Sequence, residues 1–186
     1  MLYYKISLPA LMYTEDDRQE LIQLFKGRGR QGHGQMINLD DFDSNYFRKL
    51  QNNFPVSNIA VLHYTTPNAI VNDKMYKMIH RDPRPVALNI PIQNCGIGAD
   101  TIFYTVDSVA ERLESIGNGQ YKATSYSEQP TGAVELDRFC LTMDSAMLLR
   151  TDHPHAKVQT TDAHRMFLSV TPIIGFENFI HLLDPH

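Results

Sequence analysis

The sequence predicts a mainly β chain with a few flanking helices, built as a sandwich or a barrel. From residue 73 onward, short runs rich in β-branched and aromatic residues follow one another: VALNIPI (86–92), TIFYTV (101–106), AVELDRFCLT (133–142), SAMLLRT (145–151) and MFLSV (166–170). Gly, Pro and Asn turn residues separate them, which is the spacing of short strands in a closed or two-layered β structure. Helical spacing of apolar residues is strongest within the first 54 residues.

LYYKISL (2–8) reads as a first strand. TEDDRQELIQLF (14–25) reads as a helix, with Thr14 as its cap, acidic residues in the first turn and Leu21, Leu24 and Phe25 on one face. KGRGRQGHGQ (26–35) holds four glycines and reads as a solvated loop that takes in Lys26, Arg28, Arg30 and His33. DDFDSNYFRKLQNNF (40–54) reads as a second helix with Phe42, Tyr46, Phe47 and Leu50 as a core stripe, and SNIAVLHYTTP (57–67) as a strand whose His63 is a core or edge residue. MYKMIHRD (75–82) begins the β region. DSVAERLESI (107–116) looks helical before the turn at Gly117–Gly119, and FENFIHLL (176–183) looks like a terminal helix with His181 at the surface, as is His186.

A length of 186 residues fits one domain, with 1–75 as an N-terminal strand and helix part, 76–172 as the β core and 173–186 as a tail or helix. Apolar content of 42% and charged content of 20% are those of a soluble globular protein. A net charge of −4 gives no reason to expect nucleic acid or an anionic membrane as partner. No apolar run reaches the roughly 20 residues that cross a bilayer, and the first residues make a poor signal peptide. With Cys95 and Cys140 as the only cysteines, two reduced thiols in a cytoplasmic protein are expected.

The residues that carry chemistry lie in IHRD and in TDHPHAKVQTTDAHRMFLSV (151–170). His80 and Asp82 share a face if the segment is extended. Two histidines and one carboxylate that leave coordination positions open are the ligand set of non-haem Fe(II) oxygenases. Arg165 stands at the mouth of an apolar strand, ten residues after His155, and a buried arginine there must have a partner. Ser169 turns the same way as Arg165 under regular pleating, and Tyr104 has a hydroxyl that could reach a carboxylate.

HxD, then a distal histidine, then an arginine ten residues on resembles the 2-oxoglutarate/Fe(II)-dependent dioxygenases, and within them the aspartyl/asparaginyl β-hydroxylase-like group. That group also carries a strand of the kind seen here as ALNIPI and a late H…R pair before a final strand. The resemblance covers about residues 78–170. It implies a double-stranded β-helix of jelly-roll, cupin-like type, with the N-terminal helices packed outside one sheet. It implies Fe(II) held by His80, Asp82 and His155, with 2-oxoglutarate and O₂ at the remaining positions. It gives Arg165 the distal carboxylate of 2-oxoglutarate. Asn89 stands where the group commonly has a histidine that helps hold the co-substrate. The implied reaction is hydroxylation of a small-molecule or peptide substrate with release of succinate and CO₂. The best-known aspartyl hydroxylases have glycine where this chain has Asp82, so the substrate of that subgroup does not carry over. Of the two histidines in HPH, His155 matches the family spacing and follows a proline, which leaves His153 at the strand entrance. A cupin-like metal or small-ligand binding protein is the alternative expectation.

Overall fold

The computed structural model describes residues 1–27, 34–65, 79–82, 84–96, 98–106, 114–117, 120–122, 132–159 and 164–184. Strands β1 (Tyr3–Ser7), β2 (Gly34–Asn38), β3 (Val56–Thr65), β4 (Val86–Gln93), β5 (Ala99–Thr105), β6 (Glu114–Gly117), β7 (Gln120–Lys122), β8 (Val134–Cys140), β9 (Ser145–Arg150), β10 (His155–Gln159) and β11 (Arg165–Pro172) are joined by α1 (Glu15–Leu24), α2 (Asn45–Asn53) and α3 (Phe176–Leu183). The mainly β character with few helices is as expected. A six-stranded antiparallel sheet runs β1-β9-β4-β11-β3-β2, a three-stranded one β10-β5-β8, and β6 and β7 form a separate hairpin.

Alternation along the strands divides the molecule into two cores, because successive side chains of a strand point to opposite faces. Leu62 of β3, Leu88 and Ile90 of β4, Leu148 of β9 and Leu168 and Val170 of β11 pack with Leu21 and Phe25 of the α1 region, Tyr46 and Phe47 of α2 and Phe179 of α3. The N-terminal helices therefore cover one face of the large sheet. The opposite faces of β9 and β11 present Met147, Leu149 and Phe167, which meet Phe103 of β5 and Phe139 of β8 in a second cluster. Side chains on that inner side define the space in which the candidate site lies.

Several expectations change in detail. β2 was not expected; it pairs with β3 from Gly34↔His63 to Asn38↔Ile59. Residues 114–116, read as the end of a helix, belong instead to β6, which pairs with β7; residues 107–113 of that helix lie outside the described residues, as do His33 and His186. Within MYKMIHRD, residues 75–78 are likewise undescribed, and His80 makes an isolated antiparallel bridge to His155 rather than part of a named strand. Cys95 is buried, Cys140 is partly exposed, and neither forms a disulfide among the described residues. Among the described residues no helix is long and apolar enough to cross a membrane.

The first helix starts as its sequence predicts. The Thr14 hydroxyl accepts from the Asp17 amide at 3.3 Å, while the Asp17 carboxylate accepts from the Thr14 amide at 2.9 Å and its hydroxyl at 2.7 Å. This is a reciprocal capping box. Asp17, only 4% exposed, also takes the Lys49 ammonium of α2 at 2.6 Å. Thr14→Ala should therefore cost about 1 kcal/mol in urea unfolding. Asp17→Ala should cost more, about 3 kcal/mol, because it removes the cap and also strands Lys49.

Candidate metal centre

The centre begins with two backbone hydrogen bonds. The His80 amide donates to the His155 carbonyl at 2.8 Å, and the His155 amide returns a bond to His80 at 2.9 Å. Residues paired reciprocally in this way send their side chains to the same face, and the two imidazole rings lie 4.4 Å apart. Asp82, two residues on, has its amide on the Thr151 carbonyl at 2.8 Å. Its Oδ1 lies 3.5 Å from His80 Nε2 and 4.0 Å from His155 Nε2. One ligand atom from each of His80, Asp82 and His155 falls within 4.8 Å of the others.

The orientation of His155 is fixed from behind. Its Nδ1 donates to the His153 carbonyl at 2.9 Å, which leaves the Nε2 lone pair for a ligand. The ring also lies 5.9 Å from that of Phe103, its cross-strand partner. Burial, reinforced by His80 and opposed by Asp82, presses the His155 imidazole down to about 3, so it is neutral at ordinary pH. Burial alone would raise the Asp82 carboxyl. The hydrogen bond from His80, the proximity of His155 and the charge of Arg84 outweigh that, holding it well below the usual carboxylate range. Two imidazole nitrogens and an anionic oxygen are the donor set a divalent transition metal takes. His153 is more exposed and has Asp152 at 3.9 Å as a charged neighbour; it contributes its carbonyl, not its ring.

Arg84, which sequence reasoning passed over, locks the carboxylate. Its Nε donates to Asp82 Oδ2 at 3.3 Å, and its Nη atoms donate to the Ser169 hydroxyl at 2.7 Å and to the Ser169 carbonyl at 3.2 Å. With Oδ2 taken, Oδ1 faces the imidazoles. The Ser169 hydroxyl donates in turn to Asn89 Oδ1 at 2.5 Å. The available signal was parity, since Arg84 is two residues beyond Asp82 and four beyond His80. Ser169 and Asn89 thus face inward together, as cross-strand partners. Tyr104 does not join them: it packs with Ile79 and Ala156 in a cluster apart from the inner core.

Arg165 also turns inward. It is 6% exposed, its guanidinium lies 4.8 Å from the centre of the Phe167 ring, and its Nε has no hydrogen-bond partner. Lys157 of β10 reaches the same ring at 5.0 Å and donates to His63 Nδ1 at 3.5 Å. His63 is stacked on Phe167 at 4.4 Å with the planes 11° apart. It is therefore the hydrogen-bonded core histidine expected, packed on the inner side of the large sheet. Burial, followed by the charges of Lys157 and Arg84, pushes its imidazole well below its ordinary range.

His155 makes metal-free stability sensitive to acid. Its folded pKa is depressed from 6.5 to about 3, so the unfolded chain binds more protons between those values. Its contribution is fully present above pH 6.5 and is lost as pH falls toward 3; the depressed Asp82 adds a loss of the same sign at lower pH. Metal-free protein should lose about 2 kcal/mol between pH 7 and pH 4.5 from this group. His155→Asn should flatten that part of a denaturant-unfolding pH profile.

No family model matches the chain, and no curated relative matches it. Among solved structures, one described as "Crystal structure of IDO from Bacillus thuringiensis" is similar over 91% of each chain, at 13% identity and a TM-score of 0.41.

Proposed function

We propose that the chain is an Fe(II)- and 2-oxoglutarate-dependent dioxygenase that acts as a hydroxylase. The convergence of His80, Asp82 and His155 within 4.8 Å carries this reading. Strand alternation supports the double-stranded β-helix that goes with it. β3, β4, β9 and β11 lie in the large sheet, while β5, β8 and β10, with the His80 bridge on β10, form the other.

In this reading His80 and His155 bind the metal through neutral imidazole nitrogens and Asp82 through Oδ1. Arg84 keeps Asp82 ionised and aimed. Arg165 receives the distal carboxylate of 2-oxoglutarate, since a planar guanidinium matches two carboxylate oxygens and stays charged when buried. The apolar lining of Phe103 and Phe167 lowers the local dielectric and strengthens that pairing. When bound, Fe(II) with O₂ supplies the oxidising chemistry that turns 2-oxoglutarate and a substrate C–H into succinate, CO₂ and an alcohol. The substrate is a small molecule or a peptide side chain.

Anaerobic addition of Fe(II) and then 2-oxoglutarate should give the weak visible band of the chelate, and admitting O₂ should yield succinate. Fe(II) binding with neither band nor succinate would make the chain a cupin-like metal or small-ligand binding protein instead. His155→Ala should lose the metal, whereas His153→Ala should keep it; metal analysis of the two purified variants reads this directly. Arg165→Ala should retain metal yet need at least about tenfold more 2-oxoglutarate for half-maximal succinate formation, the loss expected for one charge-assisted contact.

A further inference from the structure

The space between the sheets carries more positive charge than the dioxygenase reading uses. Arg84, Lys157 and Arg165 all reach it, and Asp82, committed to Arg84 and the two histidines, is their acidic neighbour. Among the described residues no carboxylate lies within ion-pair distance of Lys157 or of Arg165. A bound metal would add positive charge rather than remove it. Uncompensated charge in a low-dielectric interior is costly, and the compensation these groups call for is an anionic ligand.

Their arrangement indicates where that anion sits. Lys157 and Arg165 approach one Phe167 ring, at 5.0 and 4.8 Å from its centre. Lys157 is two residues beyond His155 on β10, so the two side chains leave the strand on the same side. His63 backs the ammonium. An ammonium has only hydrogens to give, so His63 Nδ1 accepts and Nε2 carries the proton; that Nε2 is buried and has no partner. Gly34 leaves room for this histidine: a Cβ there would come within 3.1 Å of the His63 ring and 2.5 Å of Val61. Two cations thus approach the Phe167 ring, and a buried ring N–H without a partner stacks on it.

We infer that Lys157 is a second anion contact of this cavity, closing with Arg165 on the distal carboxylate of the co-substrate, with His63 holding the ammonium in place. The inference rests on the dioxygenase reading and adds to it the residue that selects a dicarboxylate. Arg165 meets the carboxylate from β11 and Lys157 meets it from β10, so the two sheets are tied together through the ligand.

Calorimetry on Zn(II)-loaded protein, which cannot turn over, compares 2-oxoglutarate with 2-oxopentanoate. Both chelate metal through a keto acid, but the second lacks the distal carboxylate. Wild type should prefer 2-oxoglutarate strongly, and Lys157→Met should shrink that preference at least about tenfold while metal content and 2-oxopentanoate affinity stay as they were. Lys157→Gln gives the same comparison should the Met variant not fold. An unchanged preference in a folded variant overturns the role of Lys157 and leaves the dioxygenase reading standing. A wild type that does not distinguish the two keto acids overturns both. A reduced preference in the variant, with no succinate from Fe(II)-loaded wild type, upholds the anion contact and overturns the dioxygenase reading.

Discussion

The candidate centre depends on one pair of backbone hydrogen bonds, those exchanged by His80 and His155. They fix two residues from distant parts of the chain opposite each other with their side chains on one face. The imidazoles meet because the main chain meets. The position of His155 is set further by pairing of β10 with β5, from His155↔Phe103 to Gln159↔Ala99. Among the described residues His80 lies in no named strand. Its place is defined by the bridge and by the Asp82 amide on Thr151. The carboxylate is consequently the ligand most in need of side-chain support, and Arg84 supplies it.

That support links the centre to the large sheet. Arg84 reaches from Asp82 to Ser169 on β11, and Ser169 reaches Asn89 on β4. Every bond in this series is donated toward the next acceptor, so no buried polar group in it is left over. By contrast, the Arg165 Nε and His63 Nε2 are buried without partners. A satisfied network around the candidate metal ligands thus lies beside an unsatisfied, cationic one around Phe167.

The sequence made β1, β3, β4, β5, β8, β9 and β11 legible as apolar or alternating runs between turn residues. α1 and α2 were legible from their caps and apolar stripes. β2 was not: GQMIN follows a glycine-rich stretch and has no alternation to read, and it is a strand because β3 is there to pair with it. ERLESI has helical spacing, yet its last residues pair with β7, where a hairpin partner outweighs local propensity. His80, Asp82, His155 and Arg165 stood out by type and spacing. Arg84 and Lys157 did not, although each is an even step from a chosen ligand, because basic residues next to a proline or in a polar strand look like surface residues. His63 was illegible as a neighbour of Lys157 and Phe167 because both lie about a hundred positions away.

β11 shows how closely the fold and the candidate site constrain each other. Met166, Leu168 and Val170 face the helices, while Arg165, Phe167 and Ser169 face inward. A slip of one residue in its pairing with β3 or β4 would exchange the two sets and put the guanidinium into the apolar core. Such a slip would lose the burial of three large side chains and would also bury an unpaired charge, and both penalties act against it. The register that keeps the helices on the sheet is therefore the register that aims Arg165 and Ser169. The helical layer, which packs on the face of β11 opposite Arg165 and Ser169, holds their geometry by holding β11.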